Sequence, residues 1–239
     1  NIAYGLSQLG GTALPMATVG NDGADYLAHL RSKGISTEFI RELTDTYTAQ
    51  AMIMTDRDNN QITAFHPGAM SQAHLSEVAA RHDIKIGIIS PDGRDAMLQH
   101  AAQFKAAGLP FVFDPGQGLP MFNGDELTRF IDLATWVTVN DYEGRMLTER
   151  TGLDSQALSM RVAGLVVTLG ADGCEVWVNG EMTLVAPVKV TELVDPTGCG
   201  DAFRGALLFG LEQGWSLVQC CELGNRVGAH KIGTPGCQN

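Results

Sequence analysis

Asp195 and Asp201 bracket Gly198, Cys199 and Gly200 in the stretch VDPTGCGDAFRGALLFGL, Val194 to Leu211. Phe203, Ala206, Leu207, Gly210 and Leu211 follow the i, i+3, i+4, i+7, i+8 spacing of an amphipathic helix, which predicts a helix starting at or just after Asp201. Gly198, Cys199 and Gly200 would then form a backbone nest at the positive end of that helix. Glycines there let N–H groups converge on an anion and let a phosphate come close to the main chain. Asp201 stands beside the nest as the nearby group able to accept a proton. An anion hole with an adjacent carboxylate suits phosphoryl transfer to an alcohol, which needs charge stabilisation on the moving group and a base for the hydroxyl. The same residues also suit a plain capped turn, because Asp commonly caps helices and glycines make tight turns; the loop alone leaves both readings open. No GxxxxGK[ST] string exists for a Walker A loop, and a dinucleotide fingerprint starting at Gly198 would need Gly or Ala where Phe203 stands.

A frame must hold that loop in place. The 239 residues, 44% hydrophobic and 18% charged, suffice for one large core or two modest ones, and a single α/β domain over 1–239 with a small accessory element is expected. No apolar run approaches the roughly 20 residues that span a bilayer, and the amino end has neither a basic stretch nor a cleavage site, which predicts a soluble protein with no membrane partner. Five cysteines, odd in number and in no CxxC pair, point to reduced thiols in a cytoplasmic protein and away from structural zinc. A formal net charge of −11 argues against nucleic acid, yet a helix terminus can still attract one small anion locally. The chain opens without Met in NIAYGLSQLGG, where Ile2, Leu6 and Leu9 mark a helical stripe and Gly10 and Gly11 a stop, so an amino-terminal part is expected to be missing.

From Ser71 onward helices alternate with short apolar strands. Ser71 is expected to cap a helix carrying Leu75, Val78, Ala79 and His82; a strand follows over Ile84 to Ile89, then a helix marked by Met97, Ala101 and Phe104. FVF ending at Asp114, WVTV ending at Asn140 and LVVTL ending before Gly170 read as further strands, apolar throughout, which implies a parallel sheet covered on both faces. Polar or glycine residues recur just past their carboxyl ends, where doubly wound sheets bind ligands. Tyr47 to Thr55 and Gln61 to Phe65 flank the polar turn DRDNN and predict an antiparallel hairpin outside the main sheet, a lid element at about 46–66. CEVWV, Asn179-Gly180 and EMTLV predict a second, scaffolding hairpin with a type I′ turn.

The stretch DPTGCGDAFRGALLFGL resembles the carboxyl-terminal signature of the ribokinase (PfkB) family of sugar and nucleoside kinases. The likeness extends in order along nearly the whole chain: NIAYGLSQLGG resembles the end of the amino-terminal glycine-rich signature, VGNDGAD its following loop, VNDYE the N-x-x-E motif, and VTLGADGCEV the nucleotide-side strand and turn. NQITAFHPGAM and HKIGTPGCQN are most similar to bacterial adenosine-kinase-type members. The resemblance implies a ribokinase-like three-layer α/β/α fold with a mostly parallel central sheet and a small β lid. It implies an ATP-dependent, Mg2+-assisted kinase acting on a primary hydroxyl of a nucleoside or, alternatively, a pentose or hexose sugar. A relative that binds such ligands without catalysis is the third reading, against which the complete set of Asp201, its anion hole and Glu143 argues.

Carried onto this chain, the resemblance makes Asp201 the base and Gly198, Cys199 and Gly200 the anion hole. Cys199 replaces the usual Ala, which backbone-mediated binding tolerates; a small filler role is its structural alternative. Asn140 and Glu143 match N-x-x-E, with Glu143 organising Mg2+ and its waters; a first-turn helix carboxylate is the alternative. Thr168, Gly170 and Gly173 would line the ATP phosphates, or simply shape a strand-to-hairpin turn. Adenine contacts are expected from Val188 to Val194 and from the region of Asn225 to Ala229. On the acceptor side, Asn1 would touch substrate hydroxyls, Gly20 and Asp22 would shape the adjacent loop, and Gln50, Met52 and Phe65 of the hairpin are candidates to face the acceptor, alternation leaving their face open. The hairpin edge is also one that relatives use for homodimers. His66 reads as turn or hairpin packing, and Asp114 in DPGQG departs from the family's DPN-like segment, leaving its role undefined.

Overall fold

Unbroken apolar strands can be buried on both faces only if helices flank the sheet on each side. The computed structural model describes residues 1–57, 61–78, 81, 83–190 and 192–238. Helix α1 (Ile2–Gln8) is followed by β1 (Ala17–Val19), α2 (Ala24–Ser32), β2 (Ile40–Glu42), β3 (Gln50–Thr55) and β4 (Gln61–His66). Then come β5 (Gly87–Ile89), α3 (Arg94–Ala106), β6 (Phe111–Phe113), α4 (Gly124–Leu133), β7 (Trp136–Asn140), α5 (Asp141–Thr151) and α6 (Ser155–Ser159). The chain continues through β8 (Gly164–Thr168), β9 (Cys174–Val178), β10 (Glu181–Val185), α7 (Cys199–Glu212) and α8 (Leu217–Lys231). Among the described residues no helix is long and apolar enough to cross a membrane.

The main sheet has six strands in the order β10-β9-β8-β7-β6-β5. β5 to β8 are parallel, and the β9–β10 hairpin extends the sheet antiparallel from β8. Its turn has Asn179 and Gly180 at φ of 50° and 80°, the left-handed pair that a type I′ turn requires. Successive side chains alternate between the two helical layers. Phe111, Phe113, Val137 and Val139 pack with Met97, Phe130 and Leu147 of α3, α4 and α5, whereas Val112 and Val166 pack with Phe203 and Leu207 of α7 and Cys220 and Cys221 of α8. On the second side α1 crosses α7 so closely that a Cβ on Gly205 would lie 2.8 Å from Leu6 N and 3.0 Å from Gly5 C. That contact places the amino end of α1 at the first turn of α7.

β3 and β4 form the expected separate hairpin, in which Met52 pairs with Ala64 and Ala51 with Phe65. The tip of DRDNN, residues 58–60, lies outside the described residues. Beside the hairpin, β1 and β2 make a small parallel pair that the sequence pattern did not signal.

Three expectations need correction. The helix expected from Ser71 to His82 is a short 3-10 run over Gly68–Leu75, interrupted at Gln72 (φ −110°, ψ 17°), after which Ser76 is extended. Side chains of α3 satisfy this segment instead of a helical ladder: Gln103 Oε1 accepts from Val78 N at 2.9 Å, and Gln99 Nε2 donates to His74 O at 3.1 Å. Ala79 and His82 lie outside the described residues. The strand expected over Ile84 to Ile89 pairs only from Gly87, because its partner β6 is three residues long. Finally, α7 begins at Cys199 rather than at Asp201, since Gly198 takes a left-handed conformation (φ 81°) that turns the chain into the helix two residues early.

Phe130 joins the strands to the helical layer, stacking on Phe113 at 4.4 Å and meeting Phe122 edge-on at 5.0 Å. Phe130→Ala should cost about 3–5 kcal/mol of unfolding free energy, read as a lowered denaturation midpoint with an unchanged m-value.

Candidate active site

The carboxyl ends of β5, β6 and β7 and the amino end of α7 open onto one cleft of about 1310 Å³, lined among others by Asp92, Asp114, Glu143, Asp201 and Arg204. With Cys199 and Gly200 as the first two helical residues, Asp201 is the third, so the nest of the loop is the first turn of the helix itself. Ala202 N donates to Gly198 O at 2.9 Å and begins the helical ladder, while Cys199 N turns to Pro196 O at 3.2 Å. The N–H groups of Gly198, Gly200 and Asp201 precede any helical acceptor and, among the described residues, have no backbone partner at the positive end of the dipole. Cys199 therefore commits its N–H to the turn, and burial pushes its thiol above the usual range.

Bare backbone is enforced at both glycines. At Gly198 a Cβ would meet Cys237 Sγ at 2.9 Å in a left-handed conformation, and at Gly200 it would lie 2.8 Å from Arg204 Nη1. The loop before them is clasped to the carboxyl-terminal segment by Asp195. Its Oδ1 accepts from Thr197 N and its Oδ2 from Gly236 N, both at 2.9 Å. The Thr197 N–H and hydroxyl foremost, then the Gly236 N–H and the Lys231 charge, hold this carboxyl at about 2. Lys231 is buried and donates to Asp195 O at 2.8 Å and Thr234 O at 3.1 Å. Asp195 thus shapes the turn and stands apart from the cleft lining.

Asn1 Nδ2 donates to Asp201 Oδ2 at 2.8 Å, so the structure brings together two residues that the sequence separates by 200 positions. Asn1 Oδ1 in turn accepts from Gln238 Nε2 at 3.0 Å. Asn140 caps α5: its side chain accepts from Glu143 N at 2.7 Å, and Glu143 Oε2 accepts from Asn140 N at 2.8 Å. The same reciprocal cap joins Asn123 and Glu126 at α4, where Glu126 pairs with Arg94, so the cap by itself marks a helix start. What sets Glu143 apart is its place in the cleft wall, where burial raises its carboxyl above the ordinary range.

Asn140 and Thr168 face each other across the β7–β8 register, and Gly170 and Gly173 follow in the turn to β9. Gly170 is open, whereas a Cβ on Gly173 would lie 2.2 Å from Val185 O, which explains this glycine by close backbone approach. Asn225 is occupied in bracing the chain after β10, donating to Ala186 O at 2.9 Å. Asp22 anchors the hairpin base, accepting from Thr48 N and Thr48 Oγ1 at 2.7 Å each, with Gln50 Nε2 at 3.5 Å. Gly20 lies so close to this base that a Cβ would stand 2.2 Å from Tyr47 C. The pairing puts Gln50 and Met52 on one face of the hairpin and Phe65 on the other, so the three cannot face one ligand together. His66, exposed opposite Gln50, belongs to the hairpin edge.

Four residues escaped the sequence pattern: Ser90, Asp92, Arg204 and Gln238. Arg204 Nε lies 2.5 Å from Asp114 Oδ2 and Nη2 donates to Oδ1 at 2.7 Å, giving Asp114 a buried partner; Ser90 Oγ adds a bond at 3.1 Å. Its signal was a lone cation one turn after Asp201 in an otherwise apolar helix. Among the described residues no group of three or more His, Cys, Asp or Glu side chains could hold a metal ion.

The pfkB family carbohydrate kinase model matches residues 1–239 of this chain. The solved structure of the Burkholderia thailandensis nucleoside kinase in complex with inosine superposes with a TM-score of 0.95 at 46% identity, covering 100% of this chain and 78% of that one. The same kinase in complex with ADP-inosine gives a TM-score of 0.92 at 46% identity, over 100% and 75%. The nucleoside kinase of Methanocaldococcus jannaschii is 28% identical over 242 residues, 100% of this chain and 79% of that protein. The ribokinase of Mus musculus is 28% identical over 254 residues, 98% and 76%.

Asp92 provides a test of the cleft's electrostatics. Burial raises its carboxyl from 3.8 to about 6, against the Gly93 N–H that its Oδ1 accepts at 2.7 Å. Between those two values the folded state holds a proton that the unfolded state has lost, so stability falls as pH rises from about 4 to about 6, by at most about 3 kcal/mol. Asp92→Asn should raise the melting temperature by several degrees above pH 6 and leave it unchanged below pH 4, measured by thermal scans across that range.

Proposed function

Because this chain belongs to the pfkB family of carbohydrate kinases, we propose that it transfers the γ-phosphoryl group of ATP to the primary hydroxyl of a nucleoside, with Asp201 as the base. The fold is ribokinase-like, and the chain is a phosphotransferase that acts on hydroxyl groups of a nucleoside or sugar. The finer reading rests chiefly on one observation: N–H groups of Gly198, Gly200 and Asp201, without a backbone partner among the described residues, sit on the same helical turn as a cleft-facing carboxylate. That turn stabilises negative charge on the moving phosphoryl group while Asp201 takes the acceptor proton. The Asn1 amide, bonded to Asp201 Oδ2, orients the carboxylate and donates to an acceptor hydroxyl beside it.

Mg2+, when bound with the nucleotide, supplies charge neutralisation at the phosphates. The donor set fits a hydrated ion better than a resident protein-ligated one: Glu143 offers Oε1 while Oε2 serves the cap, and a single carboxylate suits an ion that keeps its waters. Thr168 and Gly170, past the end of β8, are assigned to the nucleotide side with Asn140, and Gly173 and Asn225 to holding that wall. Gln50 and Met52 share a hairpin face with the Asp22 contact and are assigned to the acceptor side, whereas Phe65 faces away with Ile53. Exposed Ile53 and Phe65 then suit a homodimer contact through the hairpin. A nucleoside acceptor is favoured by the likeness to two nucleoside kinases, one of them solved with inosine, and reduced thiols and an ATP donor suit the cytoplasm.

An acceptor panel of adenosine, inosine, guanosine, cytidine, ribose and fructose, with ATP consumption as readout, tests this reading. Turnover should favour a nucleoside; preference for ribose or fructose would make it a sugar kinase, and thermal stabilisation by a nucleoside without product would make it a binder. Asp201→Asn should lower kcat by on the order of 10²- to 10⁴-fold, and undiminished turnover would remove Asp201 as the base. Glu143→Gln should raise the Mg2+ concentration needed for half-maximal rate, whereas an unchanged titration would detach Glu143 from the metal.

A further inference from the structure

Arg204 is the cation of the cleft wall that lies among Asp114, Glu143 and Asp201. Its side chain is 12% exposed and that of Asp114 only 3%. Two of its nitrogens face the two Asp114 oxygens, at 2.5 Å and 2.7 Å. The third, Nη1, rests against the second residue of α7, where a Gly200 Cβ would meet it at 2.8 Å. Burial alone would strip the guanidinium of its proton more easily, but the charges of Asp114, Glu143 and Asp201 outweigh it and hold Arg204 above its usual range. Arg81 and Lys85, the other cations of the cleft wall, are paired with Glu38 and Asp83 and with Glu212. A salt bridge this deep is weak evidence for stability, because desolvation offsets most of its attraction, so its retention beside the cradle needs another reason.

We propose that Arg204, clamped by Asp114, is a positioning residue for phosphoryl transfer: it locks the first turn of α7 and supplies the counter-charge that lets Asp114, Glu143 and Asp201 crowd one cleft as carboxylates. The clamp is one reason for a glycine at position 200, since a Cβ there would press on Nη1 of a guanidinium that Asp114 holds by the Nη2 hydrogen bond and by the Nε ionic contact. Ser90 closes the set by bonding Asp114 from the end of β5. Arg204 touches neither reactant in this role; it acts through Asp201 and through the direction of the N–H groups. The inference rests on the reading of Asp201 as the base.

The test compares Arg204→Gln, Arg204→Lys and Asp201→Asn by the pH dependence of kcat/KM with ATP and a nucleoside acceptor. Arg204→Gln should lose on the order of 10- to 100-fold in kcat and move the acid limb of the profile upward, because the cleft loses its buried cation. Arg204→Lys should return the limb toward the parent position while kcat stays low, since the charge is kept and the two-point fork is not. A kcat loss with an unmoved limb would make Arg204 merely structural, and a parent-like profile would remove it from the reaction; either overturns the proposal. Undiminished turnover in Asp201→Asn would instead overturn the base assignment on which the proposal stands. If Arg204→Gln fails to fold, the Asp114→Asn/Arg204→Gln double variant, which buries no unpaired charge and leaves the net charge of the cleft unchanged, is read by kcat alone: a loss on the order of 10- to 100-fold with an unchanged KM for ATP is expected, and a parent-like kcat overturns the proposal.

Discussion

A helix can offer its first N–H groups to a ligand only if nothing of the protein covers them, and much of this structure follows from that constraint. Side chains must be absent at the turn, which Gly198 and Gly200 ensure. The approach to the turn must nevertheless be fixed, or its N–H groups would not converge. Asp195 fixes it by spending its carboxylate on backbone N–H groups, and α1 fixes the helix from the side through the Gly5–Gly205 crossing. Rigidity comes from neighbours because glycine provides none.

The same turn concentrates charge. Asp201, Glu143, Asp114 and Asp92 all reach the cleft, and like charges in a half-buried space raise one another's cost of ionisation. The protein answers that cost in three ways. Arg204 neutralises Asp114 from within, the Glu143 carboxylate closes its own helix cap, and Asp92 is left to rise toward neutrality at about 6. Asp201 is the carboxylate whose partner is a neutral amide, that of Asn1.

Strands and helices were legible where burial imposes a period. FVF, WVTV and LVVT are apolar throughout because both faces are covered, and Met97, Ala101 and Phe104 keep the helical spacing that their shared core demands. The segment from Ser71 misled because its apolar spacing is helical while its backbone is satisfied by Gln99 and Gln103 of a distant helix, a tertiary choice invisible to local pattern. Period-2 alternation located the hairpin but could not say which face meets what, and the register separates Phe65 from Gln50 and Met52. At the site, the glycines and Asp201 were legible as a motif. The Arg204–Asp114 pair was not, because two residues 90 positions apart announce a contact only through the fold.

The clasp around Asp195 also bears on how the protein comes into being. The sheet from β5 to β8 and its first helical layer are drawn from residues 87 to 168, and they leave the ribosome well before the cradle can close. Asp195 needs Gly236 and Lys231, and Asn1 is joined to Gln238 across 237 positions of chain, so the turn from Gly198 to Asp201 waits for residues 231 to 238. Such long loops close slowly, after local structure has formed. Assembly therefore runs from scaffold to cleft, with the sheet in place before the turn beside Asp201 is fixed.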